Sequence, residues 1–233
     1  MEDNVKAGPD SILENVYVDK VGVIRLDDHV DTPVWRRARE LLPGSKSVIV
    51  LALEVFSEVV KYLSSKRQIG EMSLRDLFIR NLEVVDGQLD WEAYRIVKKL
   101  HGMGFSGLSL TAGGAPYDSR FLGGSLSYVP VAQLAGLGVV GWHSMLITPE
   151  YGARVRLALV LTDAPLEPRT LEAGDIPCIE CGGACIRVCP VKAIGKPQKG
   201  EQYRIDKYAC STYLEATASC SECLKVCPAG RVP

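Results

Sequence analysis

The first half of the chain alternates short apolar runs with amphipathic segments. Val21–Leu26 and Ser47–Leu53 are short, rich in β-branched residues and bounded by polar residues, which predicts two buried strands. Between them, apolar positions at helical spacing over residues 34–42 predict a helix, which ends at Pro43 and Gly44. Three further segments also have helical spacing: residues 55–66, 73–83 and 90–103.

The second half has the same mixed character up to a polar linker. Residues 107–111, 145–147 and 155–162 are predicted strands, residues 130–135 a short helix, and residues 112–127 an irregular, glycine-rich segment. A proline-containing polar stretch follows over residues 163–175. The pattern predicts an α+β protein of two domains, an α/β body over residues 1–165 and a separate module over residues 166–233.

Charge and hydropathy exclude several classes of protein. The 27 Lys and Arg residues nearly balance the 28 Asp and Glu residues, giving a net charge of −1, which disfavours a general nucleic-acid binder. No apolar run approaches the roughly 18 residues that a membrane span needs. The N-terminal residues lack the basic and apolar regions of a signal peptide. We therefore expect a cytoplasmic protein with no membrane span and no nucleic-acid partner; the oligomeric state does not follow from the sequence.

All eight cysteines lie near the C-terminal end of the chain, in two motifs. The first, Cys178–Pro190, has the spacing C-x2-C-x3-C-x3-C-P, and the second, Cys210–Pro228, has the spacing C-x9-C-x2-C-x3-C-P. The bacterial ferredoxin run C-x2-C-x2-C-x3-C-P differs from the first by one residue, inserted here beside Gly182 and Gly183. Eight thiolates are enough for two [4Fe–4S] clusters. Paired zinc sites are the alternative, because C-x2-C occurs twice, but zinc ribbons do not require a C-x3-C-P ending in both motifs.

In two-cluster ferredoxins, the last cysteine of each motif ligates the other cluster. Applied to this chain, the rule predicts that cluster I is held by Cys178, Cys181, Cys185 and Cys227. It predicts that cluster II is held by Cys210, Cys220, Cys223 and Cys189. Two clusters in series transfer single electrons, so the body is expected to bind whatever receives or supplies them.

A glycine motif in the body has the wrong context for a dinucleotide site. Gly136, Gly138 and Gly141 match G-x-G-x-x-G, but a predicted helix precedes the motif where the dinucleotide fingerprint requires a strand. The segments Ser125–Gly138, Leu146–Leu157 and Thr162–Asp163 instead resemble the core of cobalamin-dependent reductive dehalogenases. The two cysteine motifs, with Cys210–Tyr213, resemble the ferredoxin-like module of that family, and Leu42–Leu53 resembles a segment of the related epoxyqueuosine reductases.

The resemblance implies a nitroreductase-like α/β body that holds cobalamin, with a C-terminal ferredoxin-like module that carries two [4Fe–4S] clusters and feeds electrons to cobalt. It places the cofactor against the segment 136–152, where glycines would allow the backbone to approach a corrin. The implied cofactor-binding residues are Gly136, Gly138, Gly141, His143, Ser144, Thr148, Glu150, Tyr151 and Gly152. A tyrosine supported by a basic residue is the implied proton donor, which gives Tyr117, Tyr128 and Arg120 as catalytic candidates.

The chain departs from both groups of relatives. Trp142 follows the third glycine, where the family commonly has Arg or Lys, and the Asp-x-Ala-Pro stretch of epoxyqueuosine reductases has no match, which argues against queuosine synthesis. Our first hypothesis is a cobalamin-dependent reductase of a small organic substrate, reduced by a donor protein such as ferredoxin or flavodoxin. A non-catalytic electron carrier or cobalamin reductase/chaperone is the second, and an iron–sulfur oxidoreductase whose body binds flavin is the third.

Overall fold

The computed structural model describes residues 9–61, 72–113, 117–217 and 220–230. Its centre is a four-stranded antiparallel sheet in the order β1-β2-β8-β3. The four strands are β1 (Lys20–Arg25), β2 (Ser47–Glu54), β3 (Gly107–Leu110) and β8 (Val155–Thr162). Three pairs of two-residue strands lie outside this sheet: β4 (Tyr117–Asp118) with β5 (Gly123–Gly124), β6 (Val139–Val140) with β7 (Leu146–Ile147), and β9 (Ile194–Gly195) with β10 (Arg204–Ile205).

Seven α-helices accompany the strands in the described ranges: α1 (Pro33–Leu41), α2 (Ser57–Lys61), α3 (Met72–Gly102), α4 (Tyr128–Leu134), α5 (Ala184–Val188), α6 (Lys207–Ala216) and α7 (Glu222–Val226). Helix α1 begins where the Thr32 hydroxyl accepts a hydrogen bond from the Trp35 amide. Helix α6 begins in the same way, because the Asp206 carboxylate accepts hydrogen bonds from the amides of Tyr208 and Ala209. Residues 62–66 of the predicted helix 55–66 lie outside the described residues.

The central sheet is apolar on both faces because a separate core covers each one. Val48 and Val50 of β2 pack with α1 and α4, whereas Ile49 and Leu51 pack with α3. Successive strand residues point to opposite faces, so a strand that is covered on both sides reads as a continuous apolar run. Burying this sheet between helices holds the loops at the ends of β2 and β8 in fixed positions.

Helix α3 corrects one prediction. Residues 73–83 and 90–103 are not two helices but parts of one helix, Met72–Gly102, which continues through Gly87. Its inner side packs Leu89, Ala93 and Ile96 against the sheet, and this packing outweighs the cost of about 1 kcal/mol for glycine within a helix. The α+β architecture is as predicted; the nitroreductase-like character of the body and the boundary at residues 165 and 166 stay predictions.

Candidate functional site

The cysteine-rich segment folds around short helices that carry or border its thiols. Cys185 lies in α5, Cys210 in α6 and Cys223 in α7, while Cys189 and Cys227 directly follow α5 and α7. Helices α5 and α7 pack against each other. All eight cysteines are free thiols. The residue inserted into the first motif is accommodated by two consecutive glycines with positive φ, Gly182 at 62° and Gly183 at 71°.

The electrostatic neighbours of the thiols fall into the two groups that crossed ligation predicts. The pKa of Cys185 is raised to about 11, mostly by burial and also by the nearby thiolates of Cys178, Cys181 and Cys227. This is the predicted ligand set of cluster I.

Burial likewise raises the pKa of Cys223 to about 12, with contributions from Cys210 and Cys220 and a smaller one from Cys185. Cys189 in turn contributes to the raised pKa of Cys210, after burial. The predicted ligands of cluster II are Cys189, Cys210, Cys220 and Cys223. Because Cys185 also contributes to the pKa of Cys223, the two groups of thiols adjoin. In the described part of the chain, no set of three or more His, Cys, Asp or Glu side chains is arranged to hold a single metal ion. The ligand assignment stays a prediction.

Two adjoining cavities lie where the body meets the cysteine-rich segment. The lining residues of one, of about 470 Å³, all belong to the body, and the other, of about 390 Å³, is lined also by Tyr203, Ile205 and Lys207 of the C-terminal segment. Tyr128, Val129 and Ser144 line both cavities. We call this combined depression the groove. Of the residues predicted from the sequence, Tyr128 and Ser144 are therefore brought together at one site.

Tyr128 is held in the groove as a neutral phenol. Its hydroxyl donates a hydrogen bond of 2.8 Å to the carbonyl oxygen of Thr111. Burial raises the pKa of Tyr128 to about 12, and the negative charge of Asp90 adds to the rise. The phenol therefore keeps its proton at neutral pH, as a proton donor must.

The other two catalytic candidates are placed differently. Arg120 has a side chain that is 78% exposed, and it makes a two-bond pair with Asp118, with distances of 3.0 Å from Nε to Oδ1 and 2.7 Å from Nη2 to Oδ2. Its guanidinium is thus engaged by Asp118 rather than by Tyr128. Tyr117 begins strand β4, and its side chain lies outside the described part of the structure.

The glycines of the predicted cofactor segment make room for the protein's own chain. A Cβ atom on Gly136 would overlap the carbonyl oxygen of Leu171, and one on Gly138 would overlap that of Ile147. A Cβ atom on Gly141 would lie 2.6 Å from Cε1 of His143. Packing within the chain thus requires glycine at these positions; contact of the segment with a corrin stays a prediction.

The turn that follows is closed by its own hydrogen bonds. Thr148 and Gly152 exchange two backbone hydrogen bonds of 2.9 Å, and the Thr148 hydroxyl accepts a third from the Tyr151 amide at 3.1 Å. Glu150 forms an ion pair of 2.7 Å with Lys20. Gly152, at a φ of +57°, lies against the carbonyl group of Ala229, so the turn is a contact between body and C-terminal segment.

His143 is buried and neutral. Its side chain is only 3% exposed, and Nδ1 accepts a hydrogen bond of 3.2 Å from the Met145 amide, so the proton is assigned to Nε2. Nε2 has no hydrogen-bond partner among the described atoms. Burial lowers the pKa of His143 to about 4.

The low pKa of His143 predicts a loss of stability in mild acid. The unfolded chain takes up a proton near pH 6.5 and the folded chain only near pH 4, so the stability contributed by neutral His143 is complete above pH 6.5 and declines as the pH falls towards 4. The total loss from this residue is roughly 3 kcal/mol.

His143→Asn keeps an acceptor near the Nδ1 position and removes the titration, so its free energy of unfolding should fall less than that of the parent between pH 6.5 and pH 4. Urea unfolding at both pH values measures the difference. His101→Asn, an exposed control, should behave like the parent; equal pH dependence of parent and His143→Asn would contradict the prediction.

Two arginines at the start of β8, Arg154 just before it and Arg156 within it, were not among the predicted site residues. Arg154 forms an ion pair of 2.5 Å with Glu54 and donates to the carbonyl oxygens of Val55 and Gly230, which joins the body to the C-terminal segment. Arg156 lines the groove, pairs with Asp86 at 2.7 Å and donates to the Ala112 carbonyl oxygen at 3.2 Å. The available signal was two cations at alternate positions at the start of an otherwise apolar strand.

Both the cysteine-rich segment and the chain as a whole have known relatives. Residues 177–231 match the family model described as a 4Fe-4S dicluster domain. The epoxyqueuosine reductase of Bacillus cereus is 30% identical over 214 residues, which are 81% of this chain and 49% of the relative. The tetrachloroethene reductive dehalogenase of Desulfitobacterium hafniense is 27% identical over 220 residues, 86% of this chain and 35% of the relative. The chain thus spans about half or less of the length of these curated relatives.

Solved structures of both groups share the fold. A catabolic reductive dehalogenase in complex with 3-bromo-4-hydroxybenzoic acid matches 93% of this chain with a TM-score of 0.69 at 20% identity, and the match covers 30% of that protein. An epoxyqueuosine reductase with an epoxyqueuosine-modified tRNA stem loop matches 95% of this chain with a TM-score of 0.55 at 21% identity, covering 63% of that protein.

The dicluster domain and the shared fold define the class of this protein, which is an iron–sulfur protein of redox type. Relatives and solved structures from both groups support the superfamily of epoxyqueuosine reductases and reductive dehalogenases that the sequence predicted. The relative solved with a tRNA stem loop conflicts with the expectation that nucleic acid is not a partner. No helix within the described ranges has the length and apolar character that crossing a membrane requires.

Proposed function

We propose that this protein is a cobalamin-dependent reductase, in which two [4Fe–4S] clusters supply electrons to a corrinoid bound in the groove. The observation that carries the proposal is the position of the groove, which is lined by both the body and the 4Fe-4S dicluster domain. A corrinoid supplies a low-valent cobalt for reductive cleavage of a small organic substrate. The structure of one relative, a reductive dehalogenase that matches this chain with a TM-score of 0.68, suggests a mechanism for B12-dependent dehalogenation by that protein.

The groove residues have the chemistry that a corrin requires. Val129, Leu157 and Ile205 offer apolar contact area, while Ser127, Ser144 and Lys207 offer hydrogen-bonding groups for a ring edged with amide side chains. We assign to the chain the roles of orienting the cofactor and excluding water around it. Tyr128, with its raised pKa, is the proposed proton donor.

The cysteine side of the groove offers a short route for electrons. Cys178 and Cys227, two predicted ligands of cluster I, pack in one apolar cluster with Val139, Ile147 and Ala153 of the body. Ala153 also lines the groove. We therefore place cluster I next to the groove and cluster II behind it, where Cys210 and Cys220 are the neighbours of Cys223.

Filling the groove should weaken cobalamin binding. Val129→Phe adds a ring to a half-buried residue that lines both cavities, and we expect a loss of at least tenfold in cobalamin affinity, equivalent to about 1.4 kcal/mol. Anaerobic titration of the purified protein, followed by its visible spectrum, measures the affinity, with iron content and thermal unfolding determined in parallel. Val84→Phe, on a helix position that is 73% exposed, is the matched control and should bind as the parent does.

Two outcomes would overturn the proposal. A folded, iron-replete parent that binds no cobalamin would leave an electron carrier as the function, or a flavin enzyme if flavin binds in its place. If the Val129→Phe protein is folded and binds cobalamin as tightly as the parent, the corrin does not bind in the groove.

A nucleotide substrate is the second candidate, because the B. cereus relative is an epoxyqueuosine reductase and a solved relative carries a modified tRNA stem loop. Binding of such a stem loop to the cobalamin-loaded protein, measured by fluorescence anisotropy, distinguishes the two substrate classes. Retention of the stem loop at physiological salt would favour the nucleotide.

A further inference from the structure

Another concave surface is formed by the cysteine-rich segment together with Trp142. It encloses about 400 Å³ and is lined by Trp142, Ile179, Gly182, Gly183, Ile186, Arg187 and Lys196. We call it the outer patch. Its lining includes two cations and no carboxylate, and it shares no residue with the lining of either cavity of the groove.

The outer patch combines an exposed apolar side chain with cations that are not neutralised. Ile179 is 77% exposed, the largest exposed fraction among the large apolar side chains of the described residues. Arg187 donates a hydrogen bond to the carbonyl oxygen of Gly182, and neither Arg187 nor Lys196 forms an ion pair with a described residue. Apolar contact area next to unpaired cations is typical of a surface that binds an acidic partner.

The residues of the outer patch also adjoin predicted ligands of both clusters along the chain. Ile179 stands between Cys178 and Cys181, which are predicted ligands of cluster I. Arg187, in α5, lies between Cys185 of cluster I and Cys189 of cluster II. A carrier bound here would therefore be close to both electron acceptors. This proximity matters because the rate of electron transfer falls steeply with distance.

A direct contact connects the outer patch to the thiols. The Trp142 amide donates a hydrogen bond of 3.5 Å to Sγ of Cys178, and the indole lies beside Gly183, where an added Cβ atom would be 3.0 Å from the ring. The floor of the patch is therefore built on the loop that holds predicted cluster ligands.

The distribution of charge would direct an acidic protein to this side of the molecule. Residues 178–233 contain eight Lys or Arg against five Asp or Glu, a net charge of +3, whereas residues 1–177 have a net charge of −4. The body repels an acidic carrier and the C-terminal segment attracts it, which raises the rate of productive encounter.

We propose that the outer patch is the docking site of a small acidic electron-carrier protein, which reduces the clusters one electron at a time. In each encounter the carrier is oxidised by one electron, and one [4Fe–4S] cluster is reduced from the 2+ to the 1+ state. This inference rests on the proposed function, because it requires that electrons enter the protein through the clusters.

The experiment uses the full chain with its clusters, and fully reduced bacterial flavodoxin as the acidic carrier. Stopped-flow absorbance follows the bleaching of the clusters under anaerobic conditions. Lys196→Glu should lower the second-order rate at low salt at least tenfold, and added salt should slow the parent more than the variant. Lys98→Glu is the matched control, since it makes the same charge change at an exposed position in α3 and should retain the parent's rate within about twofold. Ile179→Asp is the second variant and should also slow the reaction.

Reduction by dithionite separates a failure of docking from a failure of the proposed function. Dithionite needs no docking site, so it should reduce the parent and all variants alike. If dithionite reduces no cluster, the proposed function is overturned, and the docking proposal that rests on it is overturned with it. If dithionite does reduce the clusters, an unchanged rate of reduction by flavodoxin for both Lys196→Glu and Ile179→Asp would overturn the docking proposal. The docking proposal would also be overturned if Lys98→Glu slowed the reaction as much as Lys196→Glu, because the effect would then come from net charge alone. If an added tRNA stem loop inhibits the reduction by flavodoxin, the outer patch is a nucleic-acid binding site instead.

Discussion

Replacing Cys189 by serine is expected to eliminate cluster II and leave cluster I intact, although Cys189 belongs to the first cysteine motif. Cys189 directly follows α5 and is an electrostatic neighbour of Cys210, whose pKa is raised first by burial and then by Cys189 and Cys220. A serine hydroxyl is a poor replacement for a thiolate ligand. Iron content should fall from about eight to about four atoms per chain, with a matching loss of acid-labile sulfide.

The matched control is Cys185→Ser, four residues earlier in the same motif. Crossed ligation predicts that this variant loses cluster I instead, because Cys178, Cys181 and Cys227 are the principal neighbours of Cys185. Electron paramagnetic resonance of the reduced proteins distinguishes the two remaining clusters. If both variants lose the same cluster, ligation follows the sequence motifs and the crossed assignment is wrong.

Replacing Gly152 by alanine should destabilise the protein by about 3 kcal/mol or more. The backbone here has a φ of +57°, which costs an alanine about 1–2 kcal/mol, and the added Cβ would overlap the carbonyl group of Ala229. Gly230 faces the same contact from the other side, since a Cβ atom there would overlap the Gly152 amide. Neither side can yield by moving a side chain, because both surfaces are main chain.

Gly200→Ala separates the two costs. Gly200 has a φ of +91° and nothing within 4 Å of the position of an added Cβ, so this variant carries the conformational cost without the overlap. Its φ is the less favourable of the two for alanine, so the control overestimates that cost. Urea unfolding of the cluster-loaded proteins measures both. If Gly152→Ala is no less stable than Gly200→Ala, the close contact between body and C-terminal segment does not exist in solution.

The strands of the central sheet could be predicted because both faces are covered. Ser47–Leu53 is recognisable by its unbroken apolar run, and β2 spans Ser47–Glu54, since a strand between two cores has no polar face to interrupt the pattern. The cysteine spacing is equally informative, because cluster ligation fixes the spacing of its ligands. These are local signals, carried by neighbouring residues.

The features that the sequence did not predict depend on contacts between distant segments. Helix α3 is divided in the sequence pattern because Val84 and Gly87 break the apolar spacing, and Val84 proves to be exposed on the continuous helix. The sequence explains the glycines at 136 and 152 by a ligand, whereas the structure places Leu171 and Ala229 against them. The bond from Arg154 to Gly230 joins positions 76 residues apart, and the local sequence around Arg154 does not contain the information to find it.

The order of the sheet strands has a consequence for how the protein must be synthesised. Strand β8 is the last strand of the sheet along the chain, yet it lies between β2 and β3. Until β8 has left the ribosome, β2 has an unpaired edge along an apolar run, which is the kind of segment that joins other chains into aggregates. Fragments that end before residue 155 keep that edge open, so the body cannot be shortened from its C-terminal side without exposing it. The first cysteine, Cys178, lies 16 residues after the end of β8, so the protective strand is synthesised before the first thiol, and cluster assembly begins on a chain whose sheet can already close.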